Sequence, residues 1–128
     1  MKAAVLSGFK EVLQISEVPL PQLEKDEILI CLQACGICHS DLHVTQGDWP
    51  LLNKIVITPL IPGHEIAGVV EAAGSEVRRF KPEDWVGVPW IYWTCGECEF
   101  CAEYRENLCL KQRIMGVTED GGFAEFVT

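Results

Sequence analysis

A chain of 128 residues is long enough for one domain and too short for two ordinary ones. With 48% hydrophobic and 23% charged residues it can bury a core, which excludes a disordered tail. Nineteen Asp and Glu against ten Lys and Arg give a net charge of −9, which repels phosphate backbones and anionic lipid and argues against nucleic acid and membrane partners.

The opening KAAVLSG and the later VLQISEVPLP are short, apolar or β-branched, and punctuated by Gly8, Pro19 and Pro21, which predicts two strands joined by turns. No apolar run approaches the roughly 18 to 20 residues of a spanning helix. Lys10 and Glu11 close the one apolar amino-terminal stretch too early for an export signal, so a cytoplasmic protein is expected. Glu27 to Ala34 alternates and predicts a third strand. From His39 to Gln46 the pattern predicts two helical turns ended by Gly47. Gly63 to Ala73 holds Gly68 among apolar residues, which suits a bent or closely packed strand. Val86 to Trp93 reads as one further strand after the polar RRFKPEDW turn, and alternation resumes at Phe123, Glu125 and Val127. There are no repeats or low-complexity tracts. The expectation is a mainly β fold with short helices, a small closed or partly open barrel.

Seven cysteines, an odd number bunched at 31, 35, 38 and at 95, 98, 101, 109, suit a reducing compartment with metal sites better than a disulfide framework. Cys95-x2-Cys98-x2-Cys101-x7-Cys109 brings four soft thiolates close enough for one tetrahedral ion. Four thiolates fill the zinc tetrahedron and leave no position for water, so such a site stabilises a loop and does no chemistry. An iron–sulfur cluster is the rival, because C-x2-C-x2-C also begins a ferredoxin pattern; here Leu110 stands after the fourth cysteine where that pattern has Pro.

A second group, Cys35, Cys38, His39, His43, His64 and Glu65, contains every histidine in the chain. Mixed Cys and His donors with an open position mark zinc acting as a Lewis acid. The residues alone leave other readings open: histidines on a surface, and Cys35 and Cys38 as core residues or a redox pair.

The run Cys35-Gly36-Ile37-Cys38-His39-Ser40-Asp41-Leu42-His43, then Gly47-Asp48-Trp49-Pro50, then Gly63-His64-Glu65-Ile66-Ala67-Gly68, resembles the catalytic domain of the zinc-containing medium-chain alcohol dehydrogenases. The four-cysteine loop resembles their structural zinc lobe, here about residues 91–113. The resemblance covers nearly the whole chain in unbroken order and implies a GroES-like, partly open β-barrel over residues 1–128. It also implies roles. Cys38 and His64 match two protein ligands of the catalytic zinc, and Glu65 the neighbouring carboxylate. Asp41 matches the group that orients the ligand histidine through its other ring nitrogen. Ser40 matches the hydroxyl that takes the alcohol proton, and His43 the base at the far end of that relay, with one short helix expected to face both inward. His39 matches a contact to the cofactor pyrophosphate, and Trp49 and Trp90 match residues lining a narrow substrate slot, where core packing is the rival role. The implied activity is oxidation of small alcohols to aldehydes or ketones with hydride transfer to NAD(P), by a homo-oligomer of the complete enzyme.

The sequence departs from that family in two ways. A third ligand, a cysteine downstream of GGFAEFV, is absent, and so is a Rossmann domain, since no G-x-G-x-x-G occurs. The expectation is therefore a catalytic domain, inactive alone; the alternative is a stand-alone zinc-binding module acting by protein interaction.

Overall fold

The computed structural model describes all 128 residues and contains eight strands: β1 (Lys2–Val5), β2 (Gln14–Glu17), β3 (Ile28–Gly36), β4 (Glu65–Ala73), β5 (Trp85–Val88), β6 (Ile91–Trp93), β7 (Arg113–Ile114) and β8 (Phe126–Val127). Two α-helices, α1 (His39–Gln46) and α2 (Glu99–Ala102), and two 3-10 turns complete it. None of the helices is long and apolar enough to cross a membrane.

The central sheet is antiparallel with the order β5-β4-β3-β8. Its two long strands explain themselves from sequence. In β4, Ile66, Gly68 and Val70 point to the core while Glu65, Ala67 and Glu71 are exposed, the period-two pattern of a half-buried strand. Gly68 is needed for close approach: a Cβ there would stand 2.5 Å from Ile30 Cγ2 and 2.6 Å from the Cys31 carbonyl oxygen. The β3–β4 ladder carries irregularities at Leu29/Ile30 and Leu32/Ala34, which bend it into a curved sheet. Small two-stranded sheets, β1-β2 and β6-β7, flank it, so the barrel is open.

Two buried clusters hold these pieces together. Ile30, Ile66, Met115 and Val127 fill the central sheet's inner face, and Val44, Leu60, Ile114 and Val117 seat α1 against the rest. Each of these side chains is worth about 1.5 to 3 kcal/mol when fully buried. Ile114, at the end of β7, and Met115, the next residue, belong to different clusters, so the chain there ties both together.

Two sequence expectations need correction. Val86 to Trp93 is two strands in different sheets: β5 pairs with β4, and β6 with β7. Pro89, between them, has no N–H to donate to a ladder, and the chain changes partner there. Strand structure at the end of the chain is confined to β8. Residues 121–123 instead donate their N–H groups to the carbonyls of Ile61, Gly63 and Pro62, at 2.6, 2.9 and 2.9 Å. The bare backbones of Gly121 and Gly122 allow this close crossing, since a Cβ at Gly121 would overlap the Gly63 carbonyl.

The β6-β7 sheet is fastened to the central one by Tyr92, whose hydroxyl donates to Glu27 Oε1 at 2.6 Å. The Arg113 guanidinium lies over the Tyr92 ring at 4.9 Å and pairs with Glu119 through two nitrogens. Burial, and then the Glu27 carboxylate, push the Tyr92 phenol up to about 12. The fold thus favours the neutral phenol. Its contribution is complete below the ordinary tyrosine value of about 10 and is lost as pH rises toward 12. Ultraviolet titration should show a late phenolate step coinciding with loosening of the β6-β7 sheet, and Tyr92→Phe should abolish that step. A loosening that persists at the same pH in Tyr92→Phe would assign it elsewhere.

Candidate metal centres

The segment after β6 is built by its cysteines. Gly96 adopts φ +70°, the left-handed region that glycine enters freely, and the turn it makes aims the N–H groups of Glu97 and Cys98 at the Cys95 sulfur. Those two donors hold the Cys95 thiol down to about 6. Cys98 caps the single-turn α2, Cys101 lies within it, and a 3-10 turn at Glu106–Leu108 delivers Cys109. Burial, and then the neighbouring Cys98 thiol, push Cys101 up to about 11. The Sγ atoms stand 3.5 Å (Cys98–Cys101), 3.6 Å (Cys109–Cys95) and 3.9 Å (Cys95–Cys101) apart. A zinc–thiolate tetrahedron with bonds of about 2.3 Å has edges of about 3.8 Å; these three spacings match such edges, and all four sulfurs lie within 4.8 Å of one another. All seven cysteines are free thiols. The soft donor set and its spacing fit zinc.

The second cluster forms where β3 runs into α1 and meets the start of β4. Cys38 is the residue before α1, and Asp41, in the first turn, accepts its backbone N–H through Oδ2 at 2.8 Å. The other carboxylate oxygen, Oδ1, accepts from His64 Nδ1 at 3.0 Å. Both partners are buried, Asp41 4% and His64 6% exposed. One side chain therefore caps the helix and fixes the histidine, leaving Nε2 as the open donor of His64. Cys38, His64 and Glu65 bring their donor atoms within 4.8 Å of one another, which fits a transition-metal ion of zinc's borderline softness.

The remaining residues singled out from sequence lie around this cluster. Ser40 Oγ is 3.5 Å from Cys38 Sγ. The His64 ring meets Trp90 edge-on at 4.7 Å, and Trp90 lines an open cleft with His64, Glu65, Ile66 and Val88 while also packing against the cluster under α1. Trp49 stands apart from that cleft, 40% exposed and tilted against His43 at 5.5 Å. His43 does not turn inward with Ser40: its side chain is 41% exposed, stacks on His39 at 4.6 Å, and bonds through Nδ1 to Asp48 Oδ1 at 2.8 Å. Cys35 lies outside the donor set, packs against the central core, and is pushed up by burial.

Asp48 was not singled out as a site residue. Gly47 closes α1 with φ +62° and folds the chain back, its N–H donating to the His43 carbonyl at 3.0 Å, which places Asp48 beside the His43 ring. The sequence signal was available in the Gly-Asp pair directly after the helix.

Residues 24–128 match the family described as the alcohol dehydrogenase GroES-like domain. An alcohol dehydrogenase of Geobacillus stearothermophilus is 49% identical over 126 residues, 98% of this chain and 36% of that protein. Among solved structures, an NAD-dependent alcohol dehydrogenase superposes with a TM-score of 0.86 at 33% identity, covering 99% of this chain and 36% of that one. The cobalt- and zinc-bound thermostable alcohol dehydrogenase of Pyrobaculum aerophilum gives a TM-score of 0.87 at 32% identity, covering 99% of this chain and 38% of that one. The chain thus spans little more than a third of the length of these relatives.

Proposed function

We propose, from the premise that this chain belongs to the alcohol dehydrogenase GroES-like domain family, that residues 1–128 form the metal- and alcohol-binding domain of a zinc-dependent, NAD(P)-linked alcohol dehydrogenase. The observation that carries the reading is the convergence of Cys38, His64 and Glu65 with the buried Asp41 bridge behind them. Zinc bound there supplies Lewis acidity toward an alcohol oxygen.

The chain's own residues do the rest. Cys38 and His64 hold the ion, and Asp41 keeps His64 in the tautomer and orientation that present Nε2. Ser40, beside the Cys38 sulfur, accepts the hydroxyl proton of a small alcohol in the cleft. His43 sits at the solvent edge, where its exposed ring takes that proton onward; Asp48 engages Nδ1 and leaves Nε2 to receive it. His39, at the first position of α1, meets the cofactor pyrophosphate when the rest of the enzyme supplies it. Trp90 narrows the cleft and favours small alcohols, while Trp49 packs against His43 outside it.

Zinc transfer from the loaded chain to a chromophoric chelator tests the assignment. Two steps are expected, a tight one and a weaker one, because Cys38, His64 and Glu65 include only two strong donors. Cys38→Ser should remove the weak step alone. Asp41→Asn should weaken it by about 10- to 100-fold, as loss of an orienting partner does at other histidine sites. A weak step untouched by Cys38→Ser would refute the assignment.

A further inference from the structure

Gly36, the last residue of β3, carries no side chain of its own, yet its surroundings single it out. It stands directly opposite Glu65 in the β3–β4 register. Its backbone is not in the left-handed region, so any residue could adopt it. A Cβ placed there would overlap the Glu65 carboxylate, and its three nearest heavy atoms all belong to Glu65, with Glu65 Cβ at 3.1 Å and Cδ at 3.3 Å. Glycine in a strand is ordinarily unfavourable, because it loses backbone entropy and packs nothing.

We infer that Gly36 is a positioning residue for Glu65: the space it leaves beside β3 is where the Glu65 carboxylate lies so as to reach Cys38 and His64. The inference rests on the metal-site reading of those three residues. Glu65 is on an exposed position of the sheet and no hydrogen bond fixes its carboxylate, so its placement depends on shape. Facing strands usually fill the space between paired positions with two side chains. Here one is missing, and the other folds over the vacancy toward the end of β3, two residues before Cys38. A methyl group at 36 occupies that place and swings the carboxylate away from the two other donors. Gly36 thereby sets whether this domain offers a metal ion two donors or three.

The test uses zinc and the 128-residue chain in a thermodynamic cycle of Gly36→Ala, Glu65→Ala and the double variant, read by chelator competition. Gly36→Ala should weaken the second zinc by roughly tenfold, about as much as Glu65→Ala, and leave the four-cysteine zinc unchanged. In the Glu65→Ala background, Gly36→Ala should have no further effect. Equal weakening in both backgrounds would mean that the methyl group acts through the backbone and would overturn the inference. So would undiminished affinity in Gly36→Ala, provided Cys38→Ser does remove the second zinc. If Cys38→Ser leaves it in place, the metal-site reading fails and takes the inference with it. A measurement independent of any variant is the nuclear Overhauser contact between the Gly36 α-protons and the Glu65 γ-protons. Its presence is expected, and its absence would overturn the placement whether or not Gly36→Ala folds.

Discussion

Stripping zinc from the four-cysteine lobe, with a strong chelator or by Cys98→Ser, should unfold residues 94–112 while the β3–β4 sheet stays folded. The lobe has almost no core of its own. Tyr104 and Leu110 are about nine-tenths exposed, at 89% and 92%, and of residues 95–109 only the ligands Cys101 and Cys109 are buried. Its helix α2 has four residues, far below the roughly 12 to 15 at which isolated helices become even marginal. What remains without metal is a set of thiols and solvent-screened surface pairs such as Lys111–Glu97 and Arg105–Glu103, which hold little structure. Structural zinc in comparable peptides contributes about 10 to 16 kcal/mol of apparent binding energy at neutral pH, which exceeds all of these together. The unfolding should stop at the lobe's edges, because Tyr92 is bonded to Glu27 and Ile114 and Met115 lie in the two main clusters. Hydrogen exchange with and without zinc reads this directly. Protection that survives metal loss across residues 94–112 would refute it, and visible absorption with bound iron would replace zinc by a cluster.

The same contrast between local and long-range information explains what the sequence made legible. Helix α1 could be bounded at both ends, because its start and stop are chemical: Asp41 caps Cys38, and Gly47 turns left-handed. The four-cysteine tetrahedron was equally readable, since fifteen consecutive residues contain all of it. Gly68 likewise announced a close crossing within its own strand. The break at Pro89 was missed because the apolar run continues through it, and only the partners of β5 and β6 reveal two sheets. The alternation from Phe123 to Val127 suggested a longer strand, whereas the Phe123 N–H is given to the Pro62-Gly63 crossing and only Phe126–Val127 is a strand. The meeting of His64 with Cys38 had no local signal, as it depends on the register that sets Gly36 opposite Glu65. Resemblance supplied that juxtaposition before the fold did, and it gave no hint of the Asp48 contact to His43.

The 128-residue chain, fully loaded with zinc, should neither bind NAD(P) measurably by calorimetry nor form NADH from ethanol. Hydride transfer requires the nicotinamide to be held against the carbon that gives up hydride, and such positioning supplies about 7 to 11 kcal/mol of a barrier reduction. The sequence has no G-x-G-x-x-G turn to cradle a pyrophosphate. Its one Gly-Gly pair is no substitute, because the N–H groups of Gly121 and Gly122 are already donated to Ile61 and Gly63. The start of α1, the other place where free N–H groups would attract phosphate, is partly neutralised by Asp41, which takes the Cys38 N–H and puts a carboxylate in the first turn. His39 is then the one side chain assigned to a dinucleotide, against a net charge of −9 that opposes its phosphates. A chimera that adds to this chain the part of a relative it does not match should gain both binding and turnover. Robust NADH formation by a preparation whose mass corresponds to these 128 residues alone would mean that copies of the domain build a nucleotide site between them, and the division of labour proposed for this fold would have to be abandoned.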